Sequence, residues 1–217
     1  MLLKDKVCIV TGAGKGFGEE IAKEFYAQGA KLALITRSQE DVDSLIARFD
    51  DERVLFFCGD VSDENEVSQF ISQTIKKFGV IDVLLNNSGM RFRKEFLEID
   101  NDELDQVLNI NLKSVVSLCQ KVLPHMIKNN GGKIINMSSI AGILGFSDLS
   151  GYVMSKAAII GLTKSLAVEY AKKNIQINAL APGFCKTSYF EKFKENTKLY
   201  DFTLSRIPMN RWGSSKE

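Results

Sequence analysis

Thr11-Gly12-Ala13-Gly14-Lys15-Gly16-Phe17-Gly18 is the stretch that decides the fold of this chain. It lies between an apolar, β-branched run that starts at Lys6 and a segment of helical period over residues 19–27. Glycines at such a junction permit a tight turn and let the backbone approach a pyrophosphate, which the positive end of the helix dipole then attracts. The stretch therefore predicts a nucleotide-binding loop at the start of a βαβ unit.

The rest of the sequence repeats this alternation of short apolar runs and helix-length segments. The runs are KVCIV, KLALI, RVLFF, DVLLN, KIINM and QINAL. Alternation of this kind is typical of parallel strands that are buried on both faces, with helices packed on each side. Because 217 residues suit a single core, the prediction is one α/β domain over residues 1–217, a Rossmann-type doubly wound parallel sheet with helices on both faces.

Capping patterns predict where several helices begin. Ser38-x-x-Asp41, Asp63-x-x-Glu66 and Asp100-x-x-Glu103 each place a capping residue before a helical segment. Long helices are predicted over residues 103–127 and 152–170. Residues 184–198 mix aromatic and charged side chains without clean periodicity, so we expect an irregular cover over the site there, and we interpret Trp212 as a packing residue.

Composition argues against several classes of function. Lys and Arg number 28 against 27 Asp and Glu, for a formal charge of +1, so no overall field favours nucleic acid or an anionic membrane. No apolar run approaches the about 20 residues of a membrane span, and no cleavable signal is visible, so we expect a cytoplasmic protein. The four cysteines are far apart and His125 is the only histidine, which argues against a zinc site and a disulfide framework.

The spacing Gly12-x-x-x-Gly16-x-Gly18 differs from G-x-G-x-x-G and resembles the TGxxxGxG loop of the short-chain dehydrogenase/reductase family. Further stretches match that family in order and spacing. They are Asp60-Val61, Asn86-Asn87-Ser88-Gly89 with Ser where the family has Ala, Asn111, Ser139, Tyr152-x-x-x-Lys156, and Pro182-Gly183 with Thr187. The resemblance covers nearly the whole chain and implies an enzyme that interconverts an alcohol and a carbonyl with a nicotinamide cofactor.

The predicted strands and helices support the same site. Gly12, Asn86, Ser139 and Pro182 all follow strands at the edge where open α/β sheets bind ligands. Resemblance assigns catalysis to Asn111, Ser139, Tyr152 and Lys156. The resemblance and the reasoning on the glycine loop and on Arg37 together assign cofactor binding to a larger set of residues. They are Gly12, Gly14, Lys15, Gly16, Phe17, Gly18, Arg37, Asp60, Val61, Asn87, Gly89, Tyr152, Lys156, Pro182, Gly183 and Thr187.

Tyr152 and Lys156 are four residues apart on one helix face, which suits a coupled pair. We expect Lys156 and an oxidised nicotinamide to lower the pKa of Tyr152, the acid/base, while Ser139 orients the substrate oxygen. By resemblance, Asn111 holds a water that relays protons to Lys156.

The end of the second predicted strand favours NADP(H) over NAD(H). Thr36 stands where an NAD-preferring protein usually has an acidic residue, so no carboxylate is expected there. Arg37 and Lys15 can pair with the 2′-phosphate.

The substrate is the least determined feature. Arg91 and Arg93 follow the fourth predicted strand, and an arginine can bind a carboxylate in a bidentate manner. Together with residues 206–213, this stretch resembles gluconate 5-dehydrogenase relatives, which slightly favours a sugar acid or polyol. A 3-oxoacyl-thioester reductase is the alternative enzyme, and a catalytically silent nucleotide-binding scaffold is the alternative outside enzymes.

The resemblance also implies assembly, because matching helices in the family pack against a second copy. We expect a homodimer or homotetramer. Family members usually continue beyond the position of Glu217 through a further helix and a last strand, so we expect that residues beyond Glu217 are absent from this sequence.

Overall fold

A computed structural model describes residues 1–49, 52–187 and 190–217 of the chain, apart from the side chain of Lys192. Six parallel strands form its central sheet in the order β3-β2-β1-β4-β5-β6. They are β1 (Val7–Thr11), β2 (Lys31–Thr36), β3 (Val54–Cys58), β4 (Val83–Asn86), β5 (Gly132–Met137) and β6 (Ile175–Leu180). All six apolar runs of the sequence are therefore strands, and the predicted doubly wound sheet is confirmed.

Helices cover both faces of this sheet. Those of the main body are α1 (Gly16–Ala27), α2 (Gln39–Ile46), α3 (Glu64–Phe78), α4 (Asn101–Leu108), α5 (Ser114–Lys128) and α6 (Ser150–Tyr170). Three helices begin at the predicted caps: Ser38 accepts a hydrogen bond from the Asp41 amide, Asp63 caps α3, and Asp100 forms a capping box with Glu103.

One predicted helix differs from the observed structure. The segment predicted as continuous over residues 103–127 contains a π-helical turn, Asn109–Lys113, between α4 and α5. A π-helical turn inserts an extra residue and redirects the side chains around it, and such turns are frequent at functional sites. This turn carries Asn111.

The core has two layers, one on each side of the sheet. Alternate residues of β1 point to opposite layers: Ile9 packs with residues of α3, α5 and α6, whereas Cys8 and Val10 pack with residues of α1 and α2. Burial on both faces explains why the strands are apolar runs rather than alternating patterns.

The C-terminal segment, residues 184–187 and 190–217, is more regular than expected. It contains α7 (Phe190–Lys194), α8 (Thr197–Ser205) and a two-stranded parallel ladder of β7 (Cys185–Lys186) with β8 (Gly213–Ser214). Trp212 is buried and packs against four aromatic rings, while its Nε1 donates to Thr203 Oγ1 at 2.8 Å. Those rings belong to Phe184, Phe190, Phe193 and Tyr200.

In the part of the chain that the structure describes, every helix is too short or too polar to cross a membrane.

Candidate active site

A cavity of about 430 Å³ opens at the edge of the sheet where the parallel strands end. It extends from the glycine loop, past the ends of β2 and β3, to Tyr152 and Lys156. The C-terminal segment closes one side through Phe184, Phe193 and Trp212, so Trp212 both packs and lines the cavity. This cavity has the size and position of a ligand site in an open α/β sheet.

Most of the residues that the sequence singles out line this cavity. They are Gly12, Lys15, Gly16, Phe17, Arg37, Asp60, Val61, Asn87, Gly89, Arg91, Arg93, Ser139, Tyr152, Lys156, Pro182, Gly183 and Thr187. Gly14, Gly18 and Asn111 are not among the residues that line it. We call the part around Lys15, Arg37 and Asp41 the loop end, and the part around Ser139, Tyr152 and Lys156 the tyrosine end.

The glycine loop has the geometry of a phosphate cradle. Gly12 and Gly16 both have φ near +62°, a conformation that side chains rarely adopt. A Cβ on Gly18 would lie 2.1 Å from the carbonyl oxygen of Gly12, so α1 begins in direct contact with the loop. The amides at the start of α1 are thereby held at the cavity wall, where they suit the pyrophosphate of a dinucleotide.

Asn87 ties this loop to the end of β4. Its Nδ2 donates to the carbonyl oxygens of Thr11 and Gly12 at 2.9 and 3.2 Å. In return, Thr11 Oγ1 accepts hydrogen bonds from the amides of Asn87 and Ser88, both at 2.9 Å. The two segments that face the cavity are thus cross-linked and hold a fixed separation.

Asn111 is a cross-link rather than a lining residue. Its Oδ1 accepts from the Met90 amide at 2.8 Å, and its Nδ2 donates to the Met90 carbonyl at 2.9 Å and to Ser155 Oγ at 3.0 Å. A Cβ on Gly89 would lie 3.4 Å from Asn111 Oδ1 and 3.5 Å from Lys156 Nζ. Asn111 therefore lies beside Lys156 and joins the loop after β4 to α6.

Lys156 is buried among neutral groups. Only 4% of the residue is exposed, and its Nζ donates to the carbonyl oxygen of Met137 at 2.7 Å. Burial disfavours the ammonium form and lowers the pKa of Lys156 to about 8. A lysine in this setting therefore has a lower pKa than a surface lysine.

Tyr152 differs from the expectation of a lowered pKa. Burial raises its pKa above the ordinary value, while the side-chain hydrogen bond with Ser139 and the positive charge of Arg91 act in the opposite direction. Lys156 Nζ lies 5.7 Å from the centre of the tyrosine ring and is directed at the Met137 carbonyl. The expectation that Lys156 lowers this pKa is wrong for the protein alone, because desolvation outweighs the neighbouring charges.

Ser139 is fixed at the same place by its own backbone. It follows β5 and caps a short 3₁₀ turn, Ile140–Gly142, with its Oγ accepting from the Ala141 amide at 3.1 Å. Its hydroxyl therefore faces Tyr152 from a rigid position, and the two hydroxyls can reach one substrate oxygen together.

The loop end contains a carboxylate that the sequence did not indicate as part of the site. Asp41, in the first turn of α2, accepts a hydrogen bond from Thr36 Oγ1 at 3.2 Å, and its Oδ2 lies 3.7 Å from Lys15 Nζ. The expectation of no carboxylate at the end of β2 is therefore wrong. The pattern Ser38-x-x-Asp41 predicts only a helix cap.

Arg91 and Arg93 also line the cavity, and the charge of Arg91 acts on Tyr152. Arg93 Nη1 donates to the Ser147 carbonyl at 3.5 Å, and burial, followed by the charge of Arg91, lowers the pKa of Arg93 from its ordinary value. Two adjacent cations, one of them partly desolvated, form a suitable place for an anionic group.

Comparison with known proteins identifies the family of this chain. A family model described as short chain dehydrogenase matches residues 6–198. The 3-oxoacyl-(acyl-carrier-protein) reductase FabG of Thermotoga maritima is 37% identical over 100% of this chain and 88% of its own length. A solved structure of gluconate 5-dehydrogenase from Burkholderia cenocepacia, in complex with NADP and tartrate, has a TM-score of 0.92 and 30% identity, covering 99% of this chain and 85% of that one. The 3-ketoacyl-(acyl-carrier-protein) reductase of Brucella melitensis, complexed with NADH, has a TM-score of 0.90 and 28% identity over 98% and 87% of the two chains.

Proposed function

This chain belongs to the short-chain dehydrogenase family and is an oxidoreductase of CH–OH or carbonyl groups, and we propose that it reduces a carbonyl substrate with NADPH, using Tyr152 as the proton donor. The observation that carries this proposal is the convergence of Tyr152, Ser139 and buried Lys156 at one end of a cavity that begins at a glycine loop. The nicotinamide, when bound, supplies the hydride.

The tyrosine end suits proton transfer to a developing alkoxide. A phenol whose pKa is raised by burial stays protonated at neutral pH and can donate its proton as the carbonyl oxygen becomes negative. Ser139 can donate a hydrogen bond to the same oxygen and fix its position. When protonated, Lys156 lies close to the tyrosine ring and stabilises the phenolate that remains after the proton has been donated.

Asn111 contributes to the site by holding neighbouring residues in position. Its three hydrogen bonds hold Met90 and Ser155 together, and Ser155 lies between the two reactive side chains on α6. We propose that this cross-link keeps Lys156 in register with Tyr152, and that a water beside Asn111 relays protons to Lys156.

The preference for NADP(H) rests on Lys15 and Arg37. Both line the loop end of the cavity, where the adenosine ribose of a dinucleotide bound across the glycine loop would lie. Two cations at this place favour a 2′-phosphate. The neighbour from Burkholderia cenocepacia is a complex with NADP.

For the substrate we propose a keto sugar acid or related polyol. Arg91 and Arg93 offer a carboxylate-binding surface beside Tyr152, and the gluconate 5-dehydrogenase neighbour is in complex with the dicarboxylate tartrate. The second candidate is a 3-oxoacyl thioester, which the 37% identity to the Thermotoga maritima reductase supports. We further propose that the protein works as a homodimer or homotetramer, as its resemblance to the family implies.

A substrate panel tests these proposals. Initial rates with NADPH and with NADH should be compared for 5-ketogluconate-like acids and for acetoacetyl thioesters. We expect reduction of the keto acid, and we expect Arg91→Ala and Arg93→Ala to raise its KM roughly tenfold each, as expected for a lost charged hydrogen bond. Lys94→Ala is the matched control, because Lys94 pairs with Glu103 outside the cavity.

The outcomes separate the candidates. Efficient thioester reduction without activity on sugar acids or polyols would replace the substrate proposal and leave the reductase proposal in place. Absence of turnover with every carbonyl, despite nucleotide binding, would favour the silent scaffold.

A further inference from the structure

Asp41 is held at the wall of the loop end between two neighbouring residues. Thr36 Oγ1, a buried hydroxyl at the end of β2, donates to Asp41 Oδ2 at 3.2 Å. On the other side, a Cβ on Gly14 would lie 2.6 Å from both the Cβ and the Cγ of Asp41. The carboxylate is therefore wedged between the glycine loop and the second strand, and only a glycine at position 14 leaves room for it.

The same carboxylate is paired with one of the two cations proposed to select the cofactor. Asp41 Oδ2 lies 3.7 Å from Lys15 Nζ, and the two side chains are 21% and 67% exposed. The less exposed partner is the acidic one, so the negative charge has the better defined position. Lys15 is thereby partly neutralised at the place where a 2′-phosphate would need it.

We propose that Asp41 is a specificity-determining residue that weakens the preference for NADP(H) over NAD(H). The inference rests on the proposed function, because it concerns the cofactor of the same site. Asp41 acts in two ways: it competes with a 2′-phosphate for Lys15 and repels that phosphate directly. It can also accept a hydrogen bond from an unmodified ribose hydroxyl, which favours NAD(H).

The charges of the loop end therefore oppose one another. Lys15 and Arg37 favour the phosphorylated ribose, while Asp41 favours the unphosphorylated one. The unmodified protein should consequently bind both cofactors, with a smaller difference in affinity than its two cations alone would produce.

Binding of cofactor fragments tests this without requiring turnover. The dissociation constants of adenosine 2′,5′-bisphosphate and of AMP should be measured by calorimetry for the unmodified protein and for Asp41→Asn. We expect Asp41→Asn to tighten the bisphosphate relative to AMP by about tenfold, because it removes one repulsion and frees one cation. Asp41→Ala should shift the ratio in the same direction, and it provides a second variant if the amide packs poorly against Thr36.

Glu40→Gln is the matched control. Glu40 precedes Asp41 in the first turn of α2, is exposed, and carries the same charge, so its loss weakens the helix dipole interaction to a similar extent. The control should leave the ratio of the two dissociation constants unchanged.

The results distinguish this inference from the proposed function. If both ligands bind and both Asp41 variants leave their ratio within about twofold, the charge of Asp41 does not select the cofactor and the inference is overturned. If neither ligand binds the unmodified protein, the nucleotide site itself is wrong and both proposals fail.

Discussion

The two ends of the cavity hold their charged groups in opposite ways. At the tyrosine end Lys156 is 4% exposed, and its surroundings lower its pKa to about 8. At the loop end the side chain of Lys15 is 67% exposed and its carboxylate partner 21%. Water screens charges at the loop end and not at the tyrosine end. A substitution that removes a charged or hydrogen-bonding group should therefore have a much larger effect at the tyrosine end.

The largest effect should follow removal of the proton donor. Tyr152→Phe deletes one hydroxyl and preserves the ring, so turnover should fall by roughly 10² or more while nucleotide binding persists. Steady-state rates and fluorescence titration with NADPH measure the two quantities. Lys156→Ala should reduce both, since we place Lys156 in cofactor binding as well.

Tyr170→Phe is the control for this change, because Tyr170 is the last residue of the same helix and lies away from the cavity lining. It should keep normal turnover. Near-normal turnover of Tyr152→Phe would remove Tyr152 from the chemistry and with it the contrast between the two ends.

A second test uses the burial of Lys156 and its effect on stability. In the folded protein the pKa of Lys156 is about 8 against an ordinary 10.5. Between these values the unfolded chain binds a proton that the folded chain does not, so the free energy of unfolding should increase with pH in that window. Below pH 8 both states are protonated and the full cost of burying the charge remains.

Comparison with Lys156→Met isolates this contribution. The stability of the unmodified protein should rise relative to this variant by about 3 kcal/mol between pH 8 and 10.5, measured by urea denaturation. Burial raises the pKa values of Cys8 and Cys119 to about 12, so these two thiols lower the free energy of unfolding as the pH rises above 9. They do so equally in both proteins, and their contribution cancels in the comparison. Lys164→Met changes an exposed position on α6 and should show no such change of relative stability with pH. If the difference in stability between the unmodified protein and Lys156→Met does not change with pH, the burial of a titrating lysine is contradicted.

The two ends also differ in how far they could be predicted from the sequence. The glycine loop, the strands and the spacing of Tyr152 and Lys156 are local patterns, and the structure has them where the patterns indicate. The approach of Asp41 to Lys15 depends on how α2 lies against the glycine loop, which is a contact between elements. A sequence pattern could identify Asp41 as a capping position but could not show what else its side chain contacts.

The sequence does not predict the direction of the shift in the Tyr152 pKa for a related reason. A spacing of four residues places Lys156 on the correct helix face, but it does not determine that Nζ is directed at the Met137 carbonyl. Likewise, the aromatic cluster around Trp212 joins residues from α7, α8 and the loops beside them. Its segments have little periodicity of their own, so their helices depend on contacts that the local sequence does not display.

The smallest of these effects should be the change of cofactor preference on Arg37→Asp. Arg37 is exposed at the loop end, so water and salt screen its interaction with a 2′-phosphate. Reversing its charge should shift the ratio of kcat/KM for NADPH and NADH toward NADH by about tenfold or somewhat more. Lys4→Asp, the same charge reversal before β1 at the opposite edge of the sheet, should leave the ratio unchanged. After Arg37→Asp, Lys15 is the main cation left to bind a 2′-phosphate, and its charge is already partly neutralised by Asp41. Equal or stronger use of NADH by the unmodified protein would contradict the assignment of Arg37 and Lys15 to the phosphate.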